Sequence, residues 1–284
     1  MTAQDTRPSA ADDDPYLWLE DVQGERALAW VRERNADSEA VLRADPGFEA
    51  LRAGLREVLD SREQIPYVSR HGPMLYNLWR DAANPRGLWR RTSLEQYGQT
   101  APAWETVLDL DALGRAEGRS WVWGGATSLG PAYQRCLVSL SDGGADAAVV
   151  REFDLVTRRF VDPAQGGFFV PEAKTRVEWI DRDTLYIGSD FGPGSLTDSG
   201  YPRIVKRWRR GQPLSEASTI FEAEPGDVFA GVTVDATPGF ERVTFSRHLD
   251  FYRYHLWLQA RGDVAARRVD KPDDASLTFW REHV

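Results

Sequence analysis

The hydrophobic positions of this 284-residue chain change their period once, near Ile65. Upstream of it the spacing is helical. Between Glu25 and Arg43 the apolar positions Leu28, Val31 and Leu42 fall at helical intervals, interrupted by Asn35 and Ser38. Asp45-Pro46 predicts the start of a second helix, with Asp45 as N-cap and Pro46 in the first turn, where its missing N–H goes unmissed. Phe48, Leu51, Leu55, Val58 and Leu59 then give that helix one apolar face. Two short helices have little to bury against each other, so the segment 15–64 is expected to pack on another domain. Residues 1–14, rich in Ala, Asp, Ser and Thr, read as a disordered lead-in.

Downstream of Ile65 the spacing is that of strands. Met74 to Trp79 alternates, Asp81-Ala-Ala-Asn-Pro-Arg-Gly87 turns, Leu88 to Thr92 returns, and Trp104 to Leu110 completes a unit placed at 65–112. A second unit, 119–162, contains Trp121 to Phe160. In it Asp142-Gly143-Gly144 marks a tight hairpin, since Asp-Gly and Gly-Gly reach positive φ at little cost. A third, 176–223, holds Val177 to Ile180, Thr184 to Gly188, Arg203 to Trp208 and Ser218 to Phe221. A fourth, 227–270, holds Val228 to Val234, Arg242 to Phe245, His255 to Leu258 and Ala265 to Val269, and a fifth is expected to start at Ala275. Units of about four strands over roughly forty to fifty residues predict a mainly β fold, a β-propeller of 65–284. A β-sandwich with the same strand count is the structural alternative.

Composition narrows the function classes. Aromatics make up 11% of the chain, with eleven tryptophans, which suits strand-rich packing. A net charge of −9 argues against a nucleic-acid or anionic-membrane surface. Lysine occurs only at Lys174, Lys206 and Lys271. One cysteine, Cys136 in Arg135-Cys-Leu-Val-Ser-Leu, allows no internal disulfide and reads as a buried strand thiol. No apolar run approaches the ~20 residues that cross a bilayer. The first fourteen residues lack the basic and apolar regions of a signal peptide, so the cytoplasm is the expected location.

Several blocks, taken in order, resemble the N-terminal half of prolyl oligopeptidase-family serine peptidases. They are Asp14-Pro-Tyr-Leu-Trp-Leu-Glu-Asp21 with Ala29-Trp-Val31 and Asn35; Trp79-Arg-Asp81 with Asn84-Pro-Arg-Gly-Leu-Trp-Arg90; and Leu140 to Asp146 with Arg151-Glu-Phe-Asp154. The longest runs from Gly167-Phe-Phe-Val-Pro-Glu-Ala-Lys174 through Trp179 and Asp190-Phe-Gly192 to Ser199-Gly-Tyr-Pro-Arg203 and Trp208-Arg-Arg-Gly211. The resemblance implies an N-terminal helical segment that packs on an α/β-hydrolase domain, with a seven-bladed propeller covering the active site. It implies hydrolysis of short peptides, typically after proline, with the propeller excluding folded proteins. The count of units places Val284 inside a fifth blade, so a propeller truncated before its catalytic domain is expected.

The residues offer no catalytic constellation. A hydrolase nucleophile sits in Gly-x-Ser-x-Gly, and no serine here has glycine at both flanking positions; Gly192-Pro-Gly-Ser195-Leu comes nearest and reads as a loop. His71 precedes Gly72-Pro73 and reads as a turn residue, and His283 lies beside the terminus. His248 and His255, seven apart, would make a metal pair without supporting carboxylate or cysteine ligands. Gly166-Gly167 and Gly192-Pro-Gly194 read as turns rather than phosphate cradles. Glu172, Lys174, Asp181 and Asp183 read as a solvated loop, and Arg207, Arg209 and Arg210 as a strand end or a rim for peptide carboxylates. No catalytic residue, metal or cofactor is therefore assigned, and substrate-binding residues stay unassigned. The expected partners are an oligopeptide and a hydrolase domain, in cis or on a separate chain. The competing reading is a stand-alone propeller that binds or scaffolds without enzymatic activity.

Overall fold

The computed structural model describes residues 14–21 and 23–283, so the expected lead-in lies, but for Asp14, outside the described residues. The chain divides into two compact units, residues 1–62 and 63–284. No described helix is long and apolar enough to cross a membrane.

The first unit holds helices α1 (Glu25–Arg43) and α2 (Phe48–Asp60). Helix α1 carries Arg34–Asp37 and Glu39–Arg43 ion pairs one turn apart, which favour a solvated helix. Helix α2 starts later than Asp45-Pro46 predicts. The Asp45 carboxylate accepts the Gly47 N–H at 2.7 Å and its carbonyl accepts from Phe48 at 3.0 Å, so Asp45 closes a turn and Gly47 becomes the cap. Leu51, Leu55, Val58 and Leu59 are all exposed among the described residues.

The second unit consists of antiparallel sheets, each built from consecutive strands. The first is β1 (Ser69–His71), β2 (Met74–Asp81), β3 (Asn84–Ser93) and β4 (Glu105–Asp109). The second is β5 (Trp121–Ser128), β6 (Arg135–Asp142), β7 (Ala148–Asp154) and β8 (Arg159–Phe160), with β9 (Phe169–Ala173) also on β7. The third is β10 (Arg176–Asp181), β11 (Thr184–Gly188), β12 (Ile204–Arg209) and β13 (Ser218–Glu222). The fourth is β14 (Phe229–Asp235), β15 (Arg242–His248), β16 (Tyr254–Ala260) and β17 (Arg267–Arg268).

Strand alternation decides how these sheets stack. On β6, Cys136, Val138 and Leu140 join Tyr76, Trp89, Leu110 and Trp121 in a cluster between the first two sheets. Leu137, on the opposite face of β6, joins Phe168, Trp179, Leu185 and Trp208 between the second and third. Tyr186, Val205, Val232 and Phe245 fill the next seam. Three cores in series, each between consecutive sheets, are those of a propeller and not of a two-layer sandwich. A strand buried on both faces reads as a continuous apolar run, as Cys136 to Leu140 does. Each buried Leu or Phe contributes about 1.5–3 kcal/mol to these seams.

Three local expectations change. The hairpin at Asp142-Gly143-Gly144 is longer than two residues: β6 ends at Asp142 and β7 starts at Ala148. Gly143 and Gly144 do adopt positive φ (75° and 91°). The Asp142 carboxylate, however, is drawn to Arg119 and the Ser120 N–H, and Ser141 Oγ donates to the Ala145 carbonyl, which widens the loop. Helix α3 (Leu110–Glu117), capped by Asp109 and ended by Gly118 in the left-handed region, occupies what reads in sequence as a strand end and connector. Finally, residues 275–283 form no strand; Trp280 and His283 make one isolated bridge. A strand needs a partner, and no sheet edge within the described residues pairs with this segment.

Candidate functional site

The inner edges of the sheets set the frame. Strands β1, β5, β10 and β14 each stand first in their sheet, with a pairing strand on one side only. In a propeller that free edge borders the central channel. Strand β10 packs against both β5 and β14, so it lies where three sheets meet.

At this meeting point a column of stacked groups crosses the fourth sheet. Arg176, the first residue of β10, holds its guanidinium 4.0 Å from the centre of the Phe229 ring on β14. Phe229 stacks on His248 of β15 with centroids 4.0 Å apart and planes 17° apart. His248 stacks in turn on Tyr254 of β16 at 5.3 Å and 15°. Lys271 Nζ lies 3.7 Å from the centre of the Tyr254 ring and donates to the carbonyls of Tyr254, Pro272 and Asp273. The register explains the column, because Phe229, His248 and Tyr254 are direct cross-strand partners on one row of the sheet.

The charges on β10 are not neutralised by the protein. Among the described residues the side chains of Arg176 and Glu178 make no hydrogen bond and no ion pair, and only the Tyr201 phenol acts on the Arg176 charge, favouring it. They lie two positions apart on one strand, hence on the same face. Arg176 is open on one side and closed off by Phe229 on the other, and that partial burial lowers its pKa. Burial alone pushes the Glu178 carboxyl up to about 7. Its cross-strand neighbour is Tyr186, whose hydroxyl burial also raises. Burial, followed by the Arg176 and Lys271 charges, holds His248 below its usual range.

The seam between the second and third sheets is different. Glu152 on β7 is 1% exposed and takes the Phe168 N–H at 3.0 Å. Arg210, just past β12, grips it with two bonds of 2.7 and 3.2 Å and also holds Asp183 at 2.8 Å. Arg135 approaches Glu152 at 3.7 Å and pairs with Asp154 at 3.0 Å. A cavity of about 410 Å³ opens beside it, lined by Leu129, Gln134, Arg135, Asp154, Ile180 and Arg182.

The residues flagged in sequence are scattered by the fold. His248 and His255 point to opposite faces, since His248 pairs with Tyr254 and His255 with Arg247, so they cannot share a metal. His255 meets Asp273 instead, at 3.2 Å. His71 packs on Tyr76 and Tyr133. Ser195 is buried and bonded locally to Gly192 O, Asp190 and the Phe191 N–H, with no imidazole attached. His248 Nε2 lies 3.1 Å from Ser246 Oγ, but its ring is stacked between two aromatic rings and no carboxylate bonds it. Lys174 lies over Tyr201 and 3.8 Å from Asp146, far along the chain from Asp181 and Asp183 at the other end of β10. Arg207 and Arg209 are exposed, whereas Arg210 belongs to the buried Glu152 clip. Cys136 is fully buried and its pKa is raised. Among the described residues no three His, Cys, Asp or Glu side chains are grouped to hold a metal.

Sequence reasoning passed over Arg176, Glu178 and Phe229. One signal was present: His248 and Tyr254 are equidistant from the middle of the Asp250–Tyr252 turn, which makes them cross-strand partners. Nothing in the sequence puts Arg176 against that row.

Residues 1–258 match the family described as prolyl oligopeptidase, N-terminal beta-propeller domain. The chain is 38% identical over 285 residues to an uncharacterized peptidase of Sinorhizobium fredii, covering 98% of this chain and 39% of that one. It is 30% identical over 278 residues to an uncharacterized peptidase of Rickettsia prowazekii, covering 94% of this chain and 38% of the other. Among solved structures it is similar to a post-proline cleaving enzyme from Rickettsia typhi, with a TM-score of 0.81 and 28% identity over 93% of this chain and 40% of that chain. Oligopeptidase B from Leishmania major shares the fold at a TM-score of 0.65 and 14% identity, covering 90% of this chain and 35% of that one. The chain thus spans about two fifths of the length of the curated relatives it matches.

Proposed function

The chain belongs to the prolyl oligopeptidase family of peptidases, and on that footing we propose that it is the propeller side of a serine-type oligopeptidase. It admits short, proline-containing peptides to a hydrolase domain lying outside these 284 residues and holds folded proteins back. The observation that carries this reading is the family match across residues 1–258. The fold supports it physically. Buried aromatic seams lock consecutive sheets face to face, the rigid frame that a filter for extended peptides needs. The exposed apolar residues Leu51, Leu55 and Val58 of α2 suit the hydrolase domain as a partner. A single buried, unpaired Cys136 suits the reducing cytoplasm.

The test is made on the 284-residue chain with a proline-containing chromogenic octapeptide. Binding without turnover is expected. Turnover by the pure chain, abolished by a serine-directed inhibitor, overturns the placement of the chemistry outside it.

A further inference from the structure

We propose that Arg176, shelved on the ring of Phe229 at the inner edge of the third sheet, is a binding site for a peptide carboxylate. The proposal rests on the reading that peptides pass this edge, and it adds which group of the peptide is held and by what.

Three observations converge on it. The first is unused hydrogen-bonding capacity. A guanidinium offers five N–H donors in a planar fork that matches a carboxylate with two parallel bonds. Other arginines at the sheet seams spend those donors within the protein. Arg210 holds Glu152 and Asp183, Arg247 holds Asp227 and Glu224, and Arg203 holds Glu222 with two carbonyls. Arg90 lies between Trp79 and Trp104 and donates to Asn77. Arg176 has an aromatic shelf and spends no donor.

The second is preorganisation. The Phe229 ring presents one face to Arg176 and the other to His248, which leans on Tyr254, which leans on Lys271. Lys271 is itself tied to three carbonyls. A ring braced this way fixes the guanidinium plane without neutralising its charge, so little ordering remains to oppose binding.

The third is local charge. Lys174, two residues before Arg176, is shared with Asp146 at 3.8 Å, whereas Lys271, at the far end of the column, is bonded to no carboxylate among the described residues. The carboxyl nearest along β10, Glu178, has its charge disfavoured by burial and is bound to no base. In a chain of net charge −9, Arg176 and Lys271 take part in no ion pair among the described residues. A carboxylate brought here gains a bidentate partner. An amide in its place offers one neutral acceptor and loses the charge-assisted pair.

A peptide carboxylate has two sources, the C-terminus and an Asp or Glu side chain, and matched peptides separate them. The 284-residue chain is titrated by calorimetry with a proline-containing octapeptide bearing a free C-terminus, the same peptide as its C-terminal amide, and the amide with one internal Asp. Tighter binding of a carboxylate form than of the neutral amide, by about tenfold or more, is expected from a charge-assisted pair. Whichever carboxylate peptide is favoured names the source. That margin should vanish in Arg176→Gln, shrink in Arg176→Lys, which keeps the charge and loses the fork, and shrink in Phe229→Leu. The acid–amide comparison needs no variant, so a variant that fails to fold does not rescue the proposal. Equal affinity for all three peptides, or a margin that survives Arg176→Gln, overturns the carboxylate site and leaves the gating reading standing. Failure of every peptide to bind overturns both.

Discussion

Between the second and third sheets, Glu152 is sunk to 1% exposure and met by Arg210, the Phe168 N–H and the approach of Arg135. One seam further round, Arg176 and Glu178 are also taken partly out of water, yet among the described residues neither side chain makes an ion pair or a hydrogen bond, and the Tyr201 phenol only partly offsets the burial of Arg176. The first arrangement closes on itself: every donor aimed at the carboxylate is used, and it acts as a clip between sheets. The second leaves its valences open on the channel edge. Desolvating a charge is costly unless it is partnered, so an unpartnered one is retained where its partner arrives from outside.

The largest effect should come from breaking the clip. Arg210→Ala leaves Glu152 buried without its main partner and is expected to cost about 3–5 kcal/mol, read as a lower urea midpoint. Arg176→Gln removes no bond within the protein and should stay within about 1 kcal/mol of the parent. Equal losses from the two substitutions would erase the distinction between clip and open site.

Glu178 gives the next effect. Its folded pKa, about 7, lies above its ordinary 4.5, so the folded state keeps its proton while the unfolded chain has already lost it. The stability carried by this proton is fully present below pH 4.5 and is lost as the pH rises to about 7. On its row of the sheet stand Tyr186 of β11 and Arg207 of β12, with Arg176 two positions away on its own strand; β5 carries no titratable side chain, and the one on β14, Asp235, pairs with Arg242. Glu178→Gln should flatten that slope and stabilise the chain at pH 8 by about 1–3 kcal/mol, measured by denaturant melts across pH. An unchanged slope would show that the carboxyl is solvated.

The smallest effect sharpens the comparison most. His248 is held below its usual pKa by burial first and then by Arg176 and Lys271. Removing the Arg176 charge, by Arg176→Gln or by a bound carboxylate, should move the His248 ring titration upward in an NMR pH series. A titration indifferent to both would disconnect the column from the site.

Much of the fold was legible because it rests on periodicity. The mainly β character and the succession of antiparallel strands follow from spacing that the side chains of any strand must obey. Asp45 misled because an Asx turn and a helix cap use the same residue, and only the backbone around Gly47 shows which forms. Helix α3 was missed because its eight residues, Leu110 to Glu117, are too few to establish a period. Arg207, Arg209 and Arg210 look alike as a run, yet one is a buried clip and two are exposed.

By itself, then, the sequence determined the fold class, the succession of sheets and the family, all of which depend on local spacing and motif order. The tertiary structure decided which charges are neutralised. Glu152 and Arg210 meet across 58 residues of chain, and Arg176 meets Phe229 from a different sheet. No spacing rule reaches that far, because the partner of a charged side chain is set by how the sheets stack and not by its neighbours along the chain.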